Sequence, residues 1–347
     1  MYIRRILLAI VIIGAIAGMA FAYFVYNALF VPNTAFENDK AYIYIRSNDD
    51  FNAVMDQLEP LLKNKNTFLA VAKRKSYVGN VKPGKYAIDK GMNNNEIINS
   101  LRSRNIPIQL SFNNQETLER LAGRIADQIE ADSIALLEGF KDTEFLTAKG
   151  FQPATALAMY VPNSYEFFWD TSAKEFRDRM YKEYERFWNE ERKAKAKKIG
   201  LTPLEVVALA SIVHKETAKV DERPRVAGVY INRLNTNMLL QADPTVIYAI
   251  KKESGNFDTI IKRVLYKDLE LDSPYNTYKY AGVPPGPIAM PDISAVDAVL
   301  NYEKHDYFYF VADVENFGYH KFAKTLSQHN RNKESYVRWL NSTKIRR

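Results

Sequence analysis

Twenty-five consecutive residues, Ile6 to Phe30, carry no charged side chain, and only Asn27 among them is strongly polar. A helix rises about 1.5 Å per residue, so such a run spans a hydrocarbon core of about 30 Å with some tilt. A cleaved signal sequence has a shorter apolar stretch, about 7–15 residues, followed by a small-x-small cleavage site. Here Phe21, Tyr23, Phe24 and Tyr26 occupy the place of those small residues, and a retained anchor is expected. Arg4 and Arg5 precede the run, and Glu37 and Asp39 are the first charges after it. The positive-inside rule then puts residues 1–5 in the cytoplasm and everything beyond the span outside. No second run of comparable length follows, so the chain is expected to cross the cytoplasmic membrane once.

What remains is long enough, in a chain of 347 residues that is 47% apolar, to bury a sizeable core and hold two globular units. With no cysteine, disulfide staples, thiolate-bound zinc and thiol nucleophiles are excluded. The net charge of +7 suits an acidic cell-wall polymer or an anionic lipid surface. Arg192 to Lys198 is rich in basic residues. It closes an expected helix, where cations complement the dipole on a solvated face. With the domain outside the membrane, nucleic acid is not an expected partner.

Along the chain, 31–40 reads as a polar linker. Tyr42–Ile45 reads as a strand, Asp50–Leu62 as a helix, Tyr86–Ile88 as a strand, Glu96–Arg104 as a helix opened by an Asn93/Glu96 capping box, and Ile106–Phe112 as a strand. Residues 41–110 thus form a small α/β module, and 111–347 a larger, more helical domain. Thr117–Glu130, Asp132–Phe140 and Asp142–Lys149 are expected helices. Lys174–Ile199 is expected as one long helix ended at Gly200. Tyr307–Ala312 and Tyr319–Ala323 form a late hairpin. The fold class is α+β.

Thr202-Pro203-Leu204-Glu205 starts a helix with a capping box and Pro at its first position. Its expected core stripe is Val206, Leu209, Ala210, Val213, Glu216, Thr217 and Val220, which places a carboxylate where an apolar side chain belongs. One reading is a buried glutamate paired with Arg223, Arg225 or Arg233. The other is a carboxyl whose pKa is raised by desolvation and which stays protonated near neutral pH, ready to donate to a glycosidic oxygen. Periodicity leaves both open. Three polar, turn-rich stretches follow: Gln241 to Thr245, Ser273 to Tyr278 and Gly282 to Pro287. Amides, hydroxyls and tyrosine rings of this kind line sugar clefts, and the same residues also make ordinary turns.

Other chemistries fail on spacing. His214-x-Glu216 lacks the downstream cysteines of a zinc deaminase. The helix has no H-E-x-x-H, and the four histidines are scattered. Ser211 is followed by Lys215, one residue too far for S-x-x-K. A membrane-anchored glycan-binding scaffold without turnover is the competing class.

The string Ala210-Ser211-Ile212-Val213-His214-Lys215-Glu216-Thr217 resembles the A-S-I-V-x-K-E-T signature of the YceG-like endolytic murein transglycosylases. Agreement continues through Val229–Leu234, Leu240–Val246, Tyr275–Tyr278, Gly282–Ile288, Phe310–Asp313 and Ser327–Asn330. Val161 to Phe167 is similar to the family's F-P-D-T-Y-x-F segment, with Asn163-Ser164 in place of Asp-Thr. The resemblance implies a lytic cut of the bond between N-acetylmuramic acid and N-acetylglucosamine, with Glu216 as acid/base and a 1,6-anhydromuramyl product. It implies substrate contacts at Gln241, Asp243, Thr245, Asn276, Thr277, Tyr278, Ser211, Glu166 and His329, with no metal and no cofactor. The module at 41–110 is similar to the LysM-like domain of family members, for which gripping glycan and acting as a spacer are the two readings. Together with the anchor, the resemblance implies nascent glycan strands as substrate, near the peptidoglycan synthases.

Overall fold

Helix α1 (Tyr2–Phe30) is, among the described residues, the one helix long and apolar enough to cross a membrane, a test that a signal sequence also passes. The computed structural model describes residues 2–342. Met1 of the expected cytoplasmic tail and residues 343–347 of the expected catalytic domain lie outside the described residues.

The last turn of α1 does not lead into a loose tether. Ala28 is buried in the core of the first unit, and its carbonyl accepts from the Asn94 amide at 2.9 Å. Asn33 and Thr34, read from sequence as linker, are buried. The Asn33 side chain donates to Asn94 Oδ1 (2.6 Å) and to the Asn64 carbonyl (2.9 Å) and accepts from Asn64 N–H (2.7 Å). Polar composition does not mean solvation here: the Asn33 and Asn94 amides bond one another and the backbone groups of Asn64 and Ala28, which burial would otherwise leave unpaired.

This unit continues with β1 (Lys40–Ile45), α2 (Phe51–Leu58), α3 (Lys65–Arg74), β2 (Gly84–Asp89) and α4 (Asn94–Ser103). The two strands pair antiparallel, with Ile43 opposite Tyr86 and Ile45 opposite Gly84. Alternation turns Ile43 and Ile45 inward against Val54, Leu58, Phe68, Ile97 and Leu101. The Asn93/Glu96 capping box is present at α4. Helix α3, opened by Asn64 as its cap, has no counterpart in the sequence reading.

Strand β3 (Pro107–Phe112) runs across the division between the two units, as does its partner β4 (Asn163–Phe168). The first unit extends to Leu110 and takes back two later segments, Gln128–Ala131 and Tyr165–Ser172. The division is therefore not the single cut expected from sequence. Particular side chains bring those segments back: Glu130 accepts from Ser47 N–H and Oγ (2.6 and 2.8 Å), Trp169 meets Tyr44 edge-on, and Asp170 accepts from Asn105.

The second unit holds α5 (Leu118–Ala126), α6 (Ser133–Lys141), α7 (Thr143–Ala148), α8 (Ala173–Phe187), α9 (Glu190–Lys198), α10 (Pro203–Glu216), α11 (Arg223–Asn235), α12 (Asp243–Ser254), α13 (Ile293–Leu300), the hairpin β5 (Tyr309–Ala312) and β6 (His320–Ala323), and α14 (Leu326–Ser342). The long helix expected over 174–199 is two, α8 and α9. Trp188 turns into the core between them, and Asn189 caps the second by accepting from Arg192 N–H at 3.0 Å.

Helix α10 departs from the one-sided stripe. All eight residues from Val206 to Val213 are buried, because α9, α11, α12 and α13 pack around it. Such a helix is apolar on every face, and each fully buried Val, Leu or Ile contributes roughly 1.5–3 kcal/mol. The helix ends at Glu216, with Thr217 as its cap, so Val220, expected in the stripe, is exposed.

Candidate active site

The end of α10 brings Glu216 to the wall of a cavity of about 310 Å³, lined also by Tyr230, Arg233, Gln241, Asp243, Tyr278, Tyr309, Phe310, Leu326 and His329. Glu216 itself is half-buried. Its Oε1 accepts from the Tyr230 hydroxyl at 2.8 Å. Burial drives the carboxyl upward, and the negative charge of Asp243 adds to that. The Tyr230 hydrogen bond and the charges of His320 and Arg233 pull the other way, and the balance leaves the pKa pushed up to about 7.

The arginine-paired alternative does not describe this site. Arg223 pairs with Asp292, Arg225 with Glu303, and Arg233 donates to the carbonyls of Phe308 and Leu240. Among the described residues no guanidinium pairs with Glu216.

The sequence-derived contacts divide into two groups. Gln241, Asp243, Tyr278 and His329 line the cavity with Glu216. Tyr278 donates its hydroxyl to Asp243 Oδ1 at 2.6 Å, which aims that carboxylate and occupies one of its oxygens. His329 stacks on Tyr309 at 5.3 Å. Burial and the nearby Lys333 and Arg233 hold its pKa down, which favours a neutral ring.

Thr245, Asn276, Thr277 and Ser211 do not line the cavity; all four are buried and spend their polar atoms on protein partners. Gln241 sits at φ 49°, in the left-handed region that non-glycine residues rarely adopt and that costs of order 1 kcal/mol. Its N–H donates to the Thr277 carbonyl (3.0 Å), the next N–H, of Ala242, donates to Thr277 Oγ1 (3.0 Å), and Thr245 Oγ1 donates to the Ala242 carbonyl (2.7 Å). The two threonines thus hold the strained turn that presents Gln241. Asn276 ties its loop together by donating to the carbonyls of Leu269 and Leu271, both at 2.8 Å. Ser211 Oγ donates to the Ala208 carbonyl (2.6 Å) and accepts from Ile288 N–H (3.0 Å), which fastens the Pro/Gly-rich segment to α10. In that segment a Cβ on Gly286 would lie 1.9 Å from the Ala154 carbonyl oxygen, so only glycine fits. Glu166 lies exposed on β4 and is not part of the lining.

Tyr230, Arg233, Tyr309, Phe310 and Leu326 line the cavity without having been assigned to substrate from sequence. Tyr230, Arg233 and Phe310 fall inside family motifs and were legible there. Tyr309 and Leu326 carry no sequence signal. Among the described residues no group of three or more His, Asp or Glu is placed to hold a metal ion.

The sequence profile of the YceG-like family matches residues 43–335. The endolytic murein transglycosylase of Bacillus subtilis (strain 168) is 32% identical over 341 residues, covering 93% of this chain and 91% of its own. The endolytic murein transglycosylase of Streptococcus pneumoniae (strain D39) is 39% identical over 138 residues, which are 40% of this chain and 24% of the pneumococcal protein. A crystal structure of a yceG-like protein from Listeria monocytogenes matches with a TM-score of 0.56 at 30% identity, over 85% of this chain and 99% of that one. With a family profile spanning most of its length and a full-length relative above 30% identity, this chain belongs to the YceG-like family.

Proposed function

We propose that this lytic transglycosylase cuts murein glycan strands internally, at the β-1,4 bond from N-acetylmuramic acid to N-acetylglucosamine, with Glu216 as the single acid and base. The observation that carries the reading is a half-buried carboxyl with its pKa raised to about 7, opening on a cavity of about 310 Å³ edged by tyrosine, amide and imidazole groups. An acid–base group works best when its pKa lies near the working pH. Protonated Glu216 donates its hydrogen to the bridging oxygen as the C1–O bond breaks. The resulting carboxylate takes the proton of the muramyl C6 hydroxyl, whose oxygen closes on C1 to leave a 1,6-anhydromuramyl end. The carboxyl regains its proton in that step, so the cycle closes without water. Tyr230 orients the acid, and the charge of Asp243 opposes its early ionisation. Gln241, Asp243, Tyr278 and His329 contact the sugars, while Ser211, Thr245, Asn276 and Thr277 hold the loops that present them.

In this reading α1 is a retained, single-pass anchor in the cytoplasmic membrane with the N-terminus inside, and the substrate is nascent strand close to the synthases. The length and apolarity of α1 and the flanking charges support it. The first unit is the LysM-like module, a reading supported by its own core and by sequence resemblance.

The test is mass spectrometry of uncrosslinked glycan strands incubated with the full-length protein in detergent. Wild type should yield anhydromuramyl-ended fragments. Glu216→Gln should lower the rate about 10³-fold, within the range for loss of a general acid, while strand binding persists. Binding without anhydro products from wild type would leave a glycan-gripping scaffold instead.

A further inference from the structure

Glu222 stands at the N-cap of α11, yet its side chain makes no capping bond. It is buried and turned elsewhere. Oε1 accepts from the His320 backbone N–H at 2.7 Å, and Oε2 faces His320 Nδ1 at 2.9 Å. A carboxylate can only accept, so Nδ1 carries the hydrogen. Burial pushes the Glu222 carboxyl up, but hydrogen bonds from the His320 ring and backbone, the charge of His320 and a hydrogen bond from Thr217 outweigh it and keep the group below the usual range. Thr217 is the residue after Glu216 and the cap of α10.

The neighbouring residues repeat the clasp. Tyr319 donates its hydroxyl to Asp221 at 3.0 Å, and Lys219 lies over the Tyr319 ring at 4.9 Å. The turn between α10 and α11 is thereby stitched to Tyr319 and to His320, the first residue of β6. From His320 the contacts lead back to the carboxyl at the cavity. The His320 ring meets Phe310 edge-on at 5.0 Å, Phe310 meets Tyr230 edge-on at 5.9 Å, and Tyr230 holds Glu216. Glu216, Thr217, Glu222, His320, Phe310 and Tyr230 close a circuit.

We propose that Glu222 and His320 are a positioning pair, which locks the end of α10 against the β5–β6 hairpin so that the Glu216 carboxyl keeps one orientation towards the cleft. The inference rests on the reading of Glu216 as the acid. A buried hydrogen-bonded charge is weak evidence for stability, since a well-packed apolar pair serves as well; what it supplies here is direction, through three bonds from two elements. The groups that face Glu216 are Tyr230 and Arg233 from α11, Asp243 from α12, Tyr278 from its loop and His320 from β6. His320 is the one whose ring is fixed by a partner on the α10–α11 turn.

The experiment measures kcat, KM and the pH profile of the full-length protein on uncrosslinked strands for Glu222→Gln, His320→Gln and the double variant. The glutamine at 222 keeps the volume but loses the charge and one acceptor. Each single change should lower kcat about 10- to 100-fold with KM within about twofold. The charge of His320 lowers the Glu216 pKa, so loosening or removing that ring should move the alkaline limb of the profile to higher pH. The double variant should lose no more than the worse single, as for residues that act as one unit. If a variant at 222 does not fold, Tyr319→Phe, which removes the outer bond of the clasp, should show the same pattern in reduced form. A melting temperature that falls with kcat and pH profile unmoved, or losses that add, would overturn the proposal. Glu216→Gln in the same assay separates the two readings: an active Glu216→Gln sinks the acid assignment itself, whereas an inactive Glu216→Gln beside fully active pair variants sinks only the pair.

Discussion

The exit of α1 and the end of α10 both bury polar side chains, and they use them in opposite ways. At the exit, Asn94 is fully buried and makes bonds to Asn33, Ala28 and Thr67 of 2.6, 2.9 and 3.1 Å. Both of its amide hydrogens and one lone pair of its oxygen are matched by protein partners, and it is neutral at every relevant pH. At the end of α10, Glu216 has, among the described residues, one hydrogen bond, from Tyr230, and a pKa pushed up to about 7. A satisfied buried amide makes a rigid joint, whereas an under-satisfied carboxyl keeps its proton available. The first arrangement contributes to stability, and the second costs some of it.

That contrast can be broken by substitutions that leave shape alone. The folded state raises the Glu216 pKa from 4.5 to about 7, so the native protein binds a proton that the unfolded chain has released between those values. Stability therefore falls as pH rises through that window, and above it the carboxylate costs up to about 3 kcal/mol at 1.36 kcal/mol per unit. Glu216→Gln should accordingly be more stable than wild type at pH 8 and equal to it at pH 4, as followed by thermal unfolding at both. A stability difference that does not change with pH would contradict the raised pKa.

Asn94→Ala should act in the other direction. It removes three hydrogen bonds and strands the partners in a buried site, for a loss of about 2 kcal/mol, the same at pH 4 and pH 8 because nothing there titrates. Chemical denaturation of the full chain reads the loss. An unchanged midpoint would mean that the joint is wetter than the burial of Asn33 and Asn94 implies.

The smallest effect belongs to Tyr230→Phe, which sharpens the comparison by leaving the carboxyl with even less support. The hydrogen bond from Tyr230 lowers the Glu216 pKa. Without it the acid stays protonated to higher pH, and the alkaline limb of the rate profile should move up. The rate itself should fall about tenfold, in keeping with a hydrogen bond to a charged group of about 1.5 kcal/mol. A limb that moves down would reverse the assigned role of the tyrosine.

Much of the site was legible because its signals are local. The capping box at Thr202 depends on neighbours three residues apart, and a carboxylate in an apolar helix is visible as a break in pattern, whereas the end of the helix at Glu216, four residues short of Val220, was not. The wall residues were only half legible. Thr245 and Thr277 look like sugar-binding hydroxyls in the sequence, yet they bond each other's loops at 2.9 Å, a pairing across 32 positions that no local pattern encodes. The same limit turned Asn33 from a buried joint into an expected linker, and split one expected helix at Trp188, whose place in the core depends on distant elements.

The sequence by itself determined the apolar segment at the N-terminus, the strands and helices with strong caps, and the glutamate set into an apolar helix stripe, since each follows from periodicity, charge and hydrogen bonding within a few residues. Tertiary structure alone decided whether that glutamate meets an arginine or a tyrosine, which hydroxyls face the cleft and which brace it, and how the end of α10 is clasped. Those outcomes turn on desolvation and on partners far apart in the chain, and both come into being only when the elements pack.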